Sequence, residues 1–200
     1  MMEKRKIADS IFYFPATESP LSADVGIIQC ADGVWLYDVG SSDEAAAAIE
    51  ALSGKKNIIL SHFHPDHAGN IDRVSYDRLY AGKFTCKRLG IGVSVEDHMY
   101  FKNGIHLFPL PSGHAKGCVG LEYGGYAFLG DAVYASDKDG RIAYNAGLLK
   151  ELIAVLKSLE ASWFLVSHNV PFVKPKTEVM AELEEIYTLR SPHEPYIFLP

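Results

Sequence analysis

Cysteine is scarce in this chain. Cys30, Cys86 and Cys118 are odd in number and widely spaced, and they form neither a disulfide framework nor a zinc-finger pattern. A reducing, cytoplasmic compartment is therefore expected. No apolar run reaches the roughly 18 residues of a spanning helix, so no membrane association is expected. Met1-Met2-Glu3-Lys4-Arg5-Lys6 is charged, but Asp9 and Ser10 interrupt the stretch after it, which argues against a signal peptide. An excess of positive charge is also lacking. Lys and Arg number 19 against 25 Asp and Glu, giving a net charge of −6 and a pI near 5.7, which disfavours a nucleic-acid surface. Internal repeats and low-complexity linkers are absent. What is present is ample core material: 48% hydrophobic and 12% aromatic residues in 200 suit one domain, 1–200.

The chain opens with strands. Val25–Cys30 and Val34–Tyr37 flank Ala31-Asp32-Gly33, a hairpin signal. The pattern predicts a helix over 41–52, with Ser41 and Glu44 in capping-box spacing. A strand at 57–61, a short helix from His67 into Ile71, a strand at 78–81 and another short helix come next. Strands near 105–108, 118–123 and 126–130 succeed them, the last two joined by Gly124-Gly125. A helix over 145–160 places Leu148, Leu152, Val155, Leu156 and Leu159 on one face. A strand at 162–167 and a helix over 177–190 complete the reading. The apolar, Pro-rich tail 191–200 suits docking on its own chain or on a second copy, which leaves room for a homodimer. Periodicity alone gives a mixed α/β class.

One segment resists any packing explanation. Ser61-His62-Phe63-His64-Pro65-Asp66-His67 gathers three imidazoles and a carboxylate directly after an apolar strand. Alternation puts His62 and His64 on one side of the extended chain. Pro65 ends the strand, and Asp66 and His67 come after it on the turn, free to serve an adjacent position. The pattern suggests two neighbouring metal sites. Imidazole and carboxylate without thiolate suit zinc, iron or manganese. His114, Asp131 and His168 each sit just past another strand-like run, and strand ends along one sheet edge converge on one crevice.

With these residues in place, the chain resembles the metallo-β-lactamase-fold hydrolases, and within them the glyoxalase II-like, two-metal branch. The matching motifs are His-x-His-x-Asp-His at 62–67, Gly-His at 113–114, Gly-Asp at 130–131, Ser-His at 167–168 and Asp-x-Gly at 38–40. The resemblance implies an α/β fold, an αββα sandwich of two mixed sheets with helices on the outer faces. It implies two divalent ions, zinc foremost: His62, His64 and His114 on the first, Asp66, His67 and His168 on the second, and Asp131 between them. Asp38 would support the ligand loop through hydrogen bonds.

The implied chemistry is hydrolysis by a metal-bridging hydroxide, cutting an ester, thioester, lactone or related bond in a small molecule. Asp66 would orient the hydroxide, and Tyr134, Lys138 or His193 would supply a proton to the leaving group. β-Lactamases of this fold usually carry Cys at the position of Asp131, so a β-lactam is not the expected substrate. Too little chain comes after His168 to rebuild the helical region with which glyoxalase II enzymes hold glutathione. Two alternatives are a mononuclear-iron oxidoreductase resembling persulfide dioxygenases and a phosphodiesterase.

Overall fold

The computed structural model describes residues 2–199. A seven-stranded sheet runs in the order Arg5–Lys6, Ile11–Phe14, Val25–Cys30, Gly33–Tyr37, Lys56–Leu60, Arg78–Ala81, Val93–Ser94. Its first strands are antiparallel and its last four parallel. A six-stranded sheet runs in the order Met99–Tyr100, His106–Leu110, Cys118–Tyr123, Tyr126–Gly130, Trp163–Val166, Val173–Pro175, with only Tyr126–Gly130 and Trp163–Val166 parallel. Both sheets are therefore mixed.

Side-chain alternation stacks the layers. In Lys56–Leu60, Ile58 and Leu60 join a core with Ala46, Ala48 and Ile49 of the helix Asp43–Glu50, whereas Ile59 faces the other sheet. In Gly33–Tyr37, Val34 and Leu36 likewise face the helix, and Trp35 and Tyr37 face inward. The second sheet repeats the scheme. Leu107, Val119, Leu121, Phe128 and Leu165 meet the first sheet, while Phe108, Ala127, Leu129 and Phe164 pack beneath the helices Ala146–Ser158 and Lys176–Thr188. Period-two burial on both faces is what a strand covered on both sides requires. The result is the expected αββα sandwich. The sheets approach closely at Gly26, where a Cβ would lie 2.4 Å from the Phe128 ring.

Local departures from the sequence reading have physical causes. The first helix is capped by Ser42, whose Oγ accepts the Ala45 N–H at 3.1 Å; Ser41 instead donates its hydroxyl to the Leu21 carbonyl at 2.6 Å. On Ala146–Ser158 the buried stripe is Leu149, Leu152, Ile153 and Leu156, with Leu148 and Val155 only half-buried. The segment 132–145, for which the sequence pattern predicts no element, contains the hairpin Ser136–Lys138 and Arg141–Asn145. The tail strand Tyr196–Phe198 pairs with that hairpin and buries Ile197, so it docks on its own chain.

Candidate metal centre

Four strands end at one place. Lys56–Leu60 leads into His62, Tyr126–Gly130 into Asp131 and Trp163–Val166 into His168, while His114 comes after His106–Leu110. The loops are drawn together by close backbone approach. Gly130, at φ +55°, lies where a Cβ would sit 2.6 Å from the Ser61 Cβ, so no larger residue fits before Asp131. Asp38 and His168 also hold left-handed backbone conformations, φ 64° and 61°, of the kind that functional sites retain.

The seven side chains expected from the sequence fall into two groups. His62, His64 and His114 form one; Asp66, His67, Asp131 and His168 form the other, and each could hold a metal ion. His114 Nε2 lies 3.2 Å from His64 Nδ1, and His168 Nε2 lies 3.0 Å from Asp66 Oδ2. Asp131 Oδ2 lies 3.2 Å from His67 Nε2 and 3.4 Å from His114 Nε2, so one carboxylate oxygen touches both groups. The fit to cations rests on two atoms. His62 Nε2 and Asp131 Oδ1 are buried without any hydrogen-bond partner, a costly arrangement that two acceptors aimed at a cation would relieve.

Beneath the centre, Asp38 sets the imidazole tautomers. Its carboxylate accepts the Ser61 N–H at 2.7 Å, the Ser61 hydroxyl at 2.8 Å and the His67 Nδ1–H at 2.7 Å. The Ser61 hydroxyl proton being committed to Asp38, Ser61 Oγ accepts from His62 Nδ1–H at 2.9 Å. Both rings therefore turn a bare Nε2 lone pair toward the centre once a cation replaces any proton there.

Charge is unevenly held when no cation is present. Burial, with neighbouring imidazoles, pulls His62 down to about 2, and burial beside His114 lowers His64. Burial opposes charge on His67 too, but the carboxylates of Asp38 and Asp131 outweigh it and push the ring up to about 10. The Asp66 carboxylate is disfavoured by burial, yet its hydrogen bond from His168 and the charge of His67 hold it at about 2. The same bond raises His168.

Two residues without any sequence signal support the site. Ser61 relays Asp38 to His62. Asp24, buried, accepts the Ala16 N–H and the His168 N–H, each at 3.0 Å. Its partners are backbone groups, one of them far away in the chain, so no local pattern marks it. Tyr134, expected as a proton donor, has a different part. It gives its hydroxyl proton to the Ser167 carbonyl at 2.7 Å and thereby braces the turn that carries His168. Tyr134, Lys138 and His193 are all missing from the cleft lining.

The centre opens into a cleft of about 1150 Å³. Its walls come from 15–24, from the N-terminal strand and from 169–173.

Comparison with known proteins agrees with this architecture. Residues 19–76 match the sequence profile of the Metallo-beta-lactamase superfamily. Among solved structures, a HARLDQ-motif mutant of a metallo-beta-lactamase from Cronobacter sakazakii superposes with a TM-score of 0.70 at 16% identity, over 94% of this chain and 96% of that one. A subclass B3 metallo-beta-lactamase isolated from a soil metagenome library gives 0.69 at 19% identity, over 94% and 93%. A flavo di-iron protein mutant from Thermotoga maritima gives 0.66 at 13% identity; 96% of this chain spans 64% of that protein. No curated protein shows a match to the chain. The chain has the metallo-beta-lactamase fold, with His and Asp clusters suited to metal ions where its strands end. No helix of the described residues is long and apolar enough to cross a membrane.

Proposed function

We propose that the chain is a dinuclear metal-dependent hydrolase of the metallo-beta-lactamase superfamily, close in its ligand pattern to glyoxalase II, that cuts an ester, thioester, lactone or related bond in a small molecule. The observation that carries this reading is the position of Asp131. Its Oδ2 is within 3.4 Å of an imidazole nitrogen from each group, and its Oδ1 is buried without a partner.

His62, His64 and His114 would hold one ion, Asp66, His67 and His168 the other, with Asp131 shared. A pair of divalent ions, zinc foremost, would bring the pKa of water toward about 7 and polarise an acyl oxygen. Asp66, ionised at neutral pH, would hold its ion and could accept a hydrogen bond from a water placed there, orienting it toward an acyl carbon. Tyr134 has committed its proton to Ser167, so the reading favours leaving groups that depart as stable anions, thiolates above all, over amides. The free thiols of Cys30, Cys86 and Cys118 suit a cytoplasmic location.

Metal analysis coupled to a screen of esters, thioesters, lactones and phosphodiesters tests the assignment. Two equivalents of metal are expected, with hydrolysis lost in Asp131→Asn and His64→Ala. Full activity in either variant would refute the centre. One iron per chain with oxygen consumption would instead support the persulfide dioxygenase-like alternative.

A further inference from the structure

The cleft extends far past the metal centre. Tyr126 and Trp163 are register partners at the starts of the two parallel strands whose ends carry Asp131 and His168. At about 3.3 Å per residue, the cleft therefore runs on the order of 15 Å away from the centre. Aromatic rings line its walls. Trp163 remains 42% exposed at that end, on the cleft side of its strand, and nearer the centre Tyr13 stacks on Phe172, which lies opposite Val166, with ring centroids 4.8 Å apart. This is a surface for an apolar body.

A cation lines the same cleft. Arg5 lies on the edge strand opposite Tyr13 in register, so the two side chains leave the sheet on the same face, and the Tyr13 hydroxyl favours the guanidinium charge. The neighbouring Lys6 is paired with Asp9 at 3.1 Å. Arg5 forms no ion pair among the described residues, and Glu18, an acidic group on the same wall, is not joined to it. Glu3 and Asp24 favour the Arg5 charge from a distance, and neither forms a salt bridge with it. An unpaired guanidinium beside an aromatic shelf has a fork of donors that fits a carboxylate and carries one charge to balance. A phosphate dianion would want a second cation, and Lys6 is already engaged.

The edge strand Arg5–Lys6 lies four strands from Lys56–Leu60, the strand that leads into His62, which is on the order of 19 Å across the sheet at about 4.8 Å per strand. We propose that Arg5 anchors a carboxylate on this outer wall of the cleft, so that the substrate is an elongated apolar acyl compound with an anionic head remote from the bond that is cut. This rests on the hydrolase reading of the metal centre and adds the substrate class to it.

Binding of simple acids to the metal-loaded full-length protein tests the anchor without depending on turnover. Trp163 supplies the signal, since Trp35 is buried at 3% exposure. The probes are octanoate against octanedioate, and dodecanoate against dodecanedioate. A diacid should bind more tightly than its monoacid by about tenfold at one length or both, the worth of a charge-assisted pair. Arg5→Ala and Arg5→Gln should each abolish that advantage and leave the monoacid unaffected. Equal affinities at both lengths, an advantage that survives Arg5→Ala, or no binding of either acid to protein holding two metals would overturn the proposal. If the protein takes up no metal, the hydrolase reading fails separately; acid binding by metal-free protein that Arg5→Ala removes then still supports the anchor, and binding that it leaves intact overturns it.

Discussion

Asp38 receives three donors in a space closed to solvent. Replacing it by Ala strands the Ser61 N–H, the Ser61 hydroxyl and the His67 ring N–H, which costs about 1–3 kcal/mol for each buried group left unpaired. Asp38→Asn keeps the size but brings an NH₂ against those donors. Metal affinity in the Asn variant should fall about 10- to 100-fold, measured by chelator competition; an unchanged affinity would show that the tautomers are set elsewhere. Protons should also move on metal uptake. His67 is pushed up to about 10, so the metal-free protein keeps that proton at neutral pH and a cation must displace it. Its pKa lies above the ordinary 6.5, so this group stabilises the metal-free fold fully below that value and ceases to do so as pH rises through about 10. Zinc loading at pH 7 should therefore release about one proton from His67, with a further share from His168, and weaken as pH falls. Calorimetry in buffers of different ionisation enthalpy reads the number directly; zero release would contradict the Asp38–His67–Asp131 arrangement.

At the scale of elements, the contact between Gly26 and Phe128 joins the two sheets. Alanine in a strand is ordinarily better than glycine, yet here its methyl would overlap the ring. Gly26→Ala should destabilise by about 1–3 kcal/mol, and Phe128→Leu should restore part of the loss in the double variant; a thermal melt of the set checks both. Elements were legible in the sequence where one property decided them. Cys118–Tyr123 and Tyr126–Gly130 have their expected bounds because Gly124-Gly125 turns between two alternating runs. The ligand loop was legible because histidines at that density have no packing use. The hairpin 136–145 was not, because only Ala143 of Arg141–Asn145 is buried and Ser136–Lys138 is polar, so neither strand alternates. The strand Arg5–Lys6 gave no signal for the same reason, and the outer wall of the cleft was hidden with it.

Across the whole molecule, the first and last strands of the described residues are built into sheets. The N-terminal strand edges the first sheet, and the C-terminal strand completes a three-stranded sheet through Ile197, which is 2% exposed. Ile197→Ala should cost about 2–5 kcal/mol, seen as a lower urea midpoint; a neutral result would mean that the tail does not hold its place in solution. Asp24 links the same long-range architecture to the candidate metal centre. One carboxylate oxygen accepts the Ala16 N–H on the cleft wall and the other the His168 N–H at the strand end. Anyone seeking new selectivity by grafting a foreign segment over 15–24 would thus be handling a hinge pin along with the wall. A graft that preserves this one aspartate leaves the backbone of His168 tethered, and a graft that discards it sets loose the turn from which that imidazole reaches the centre.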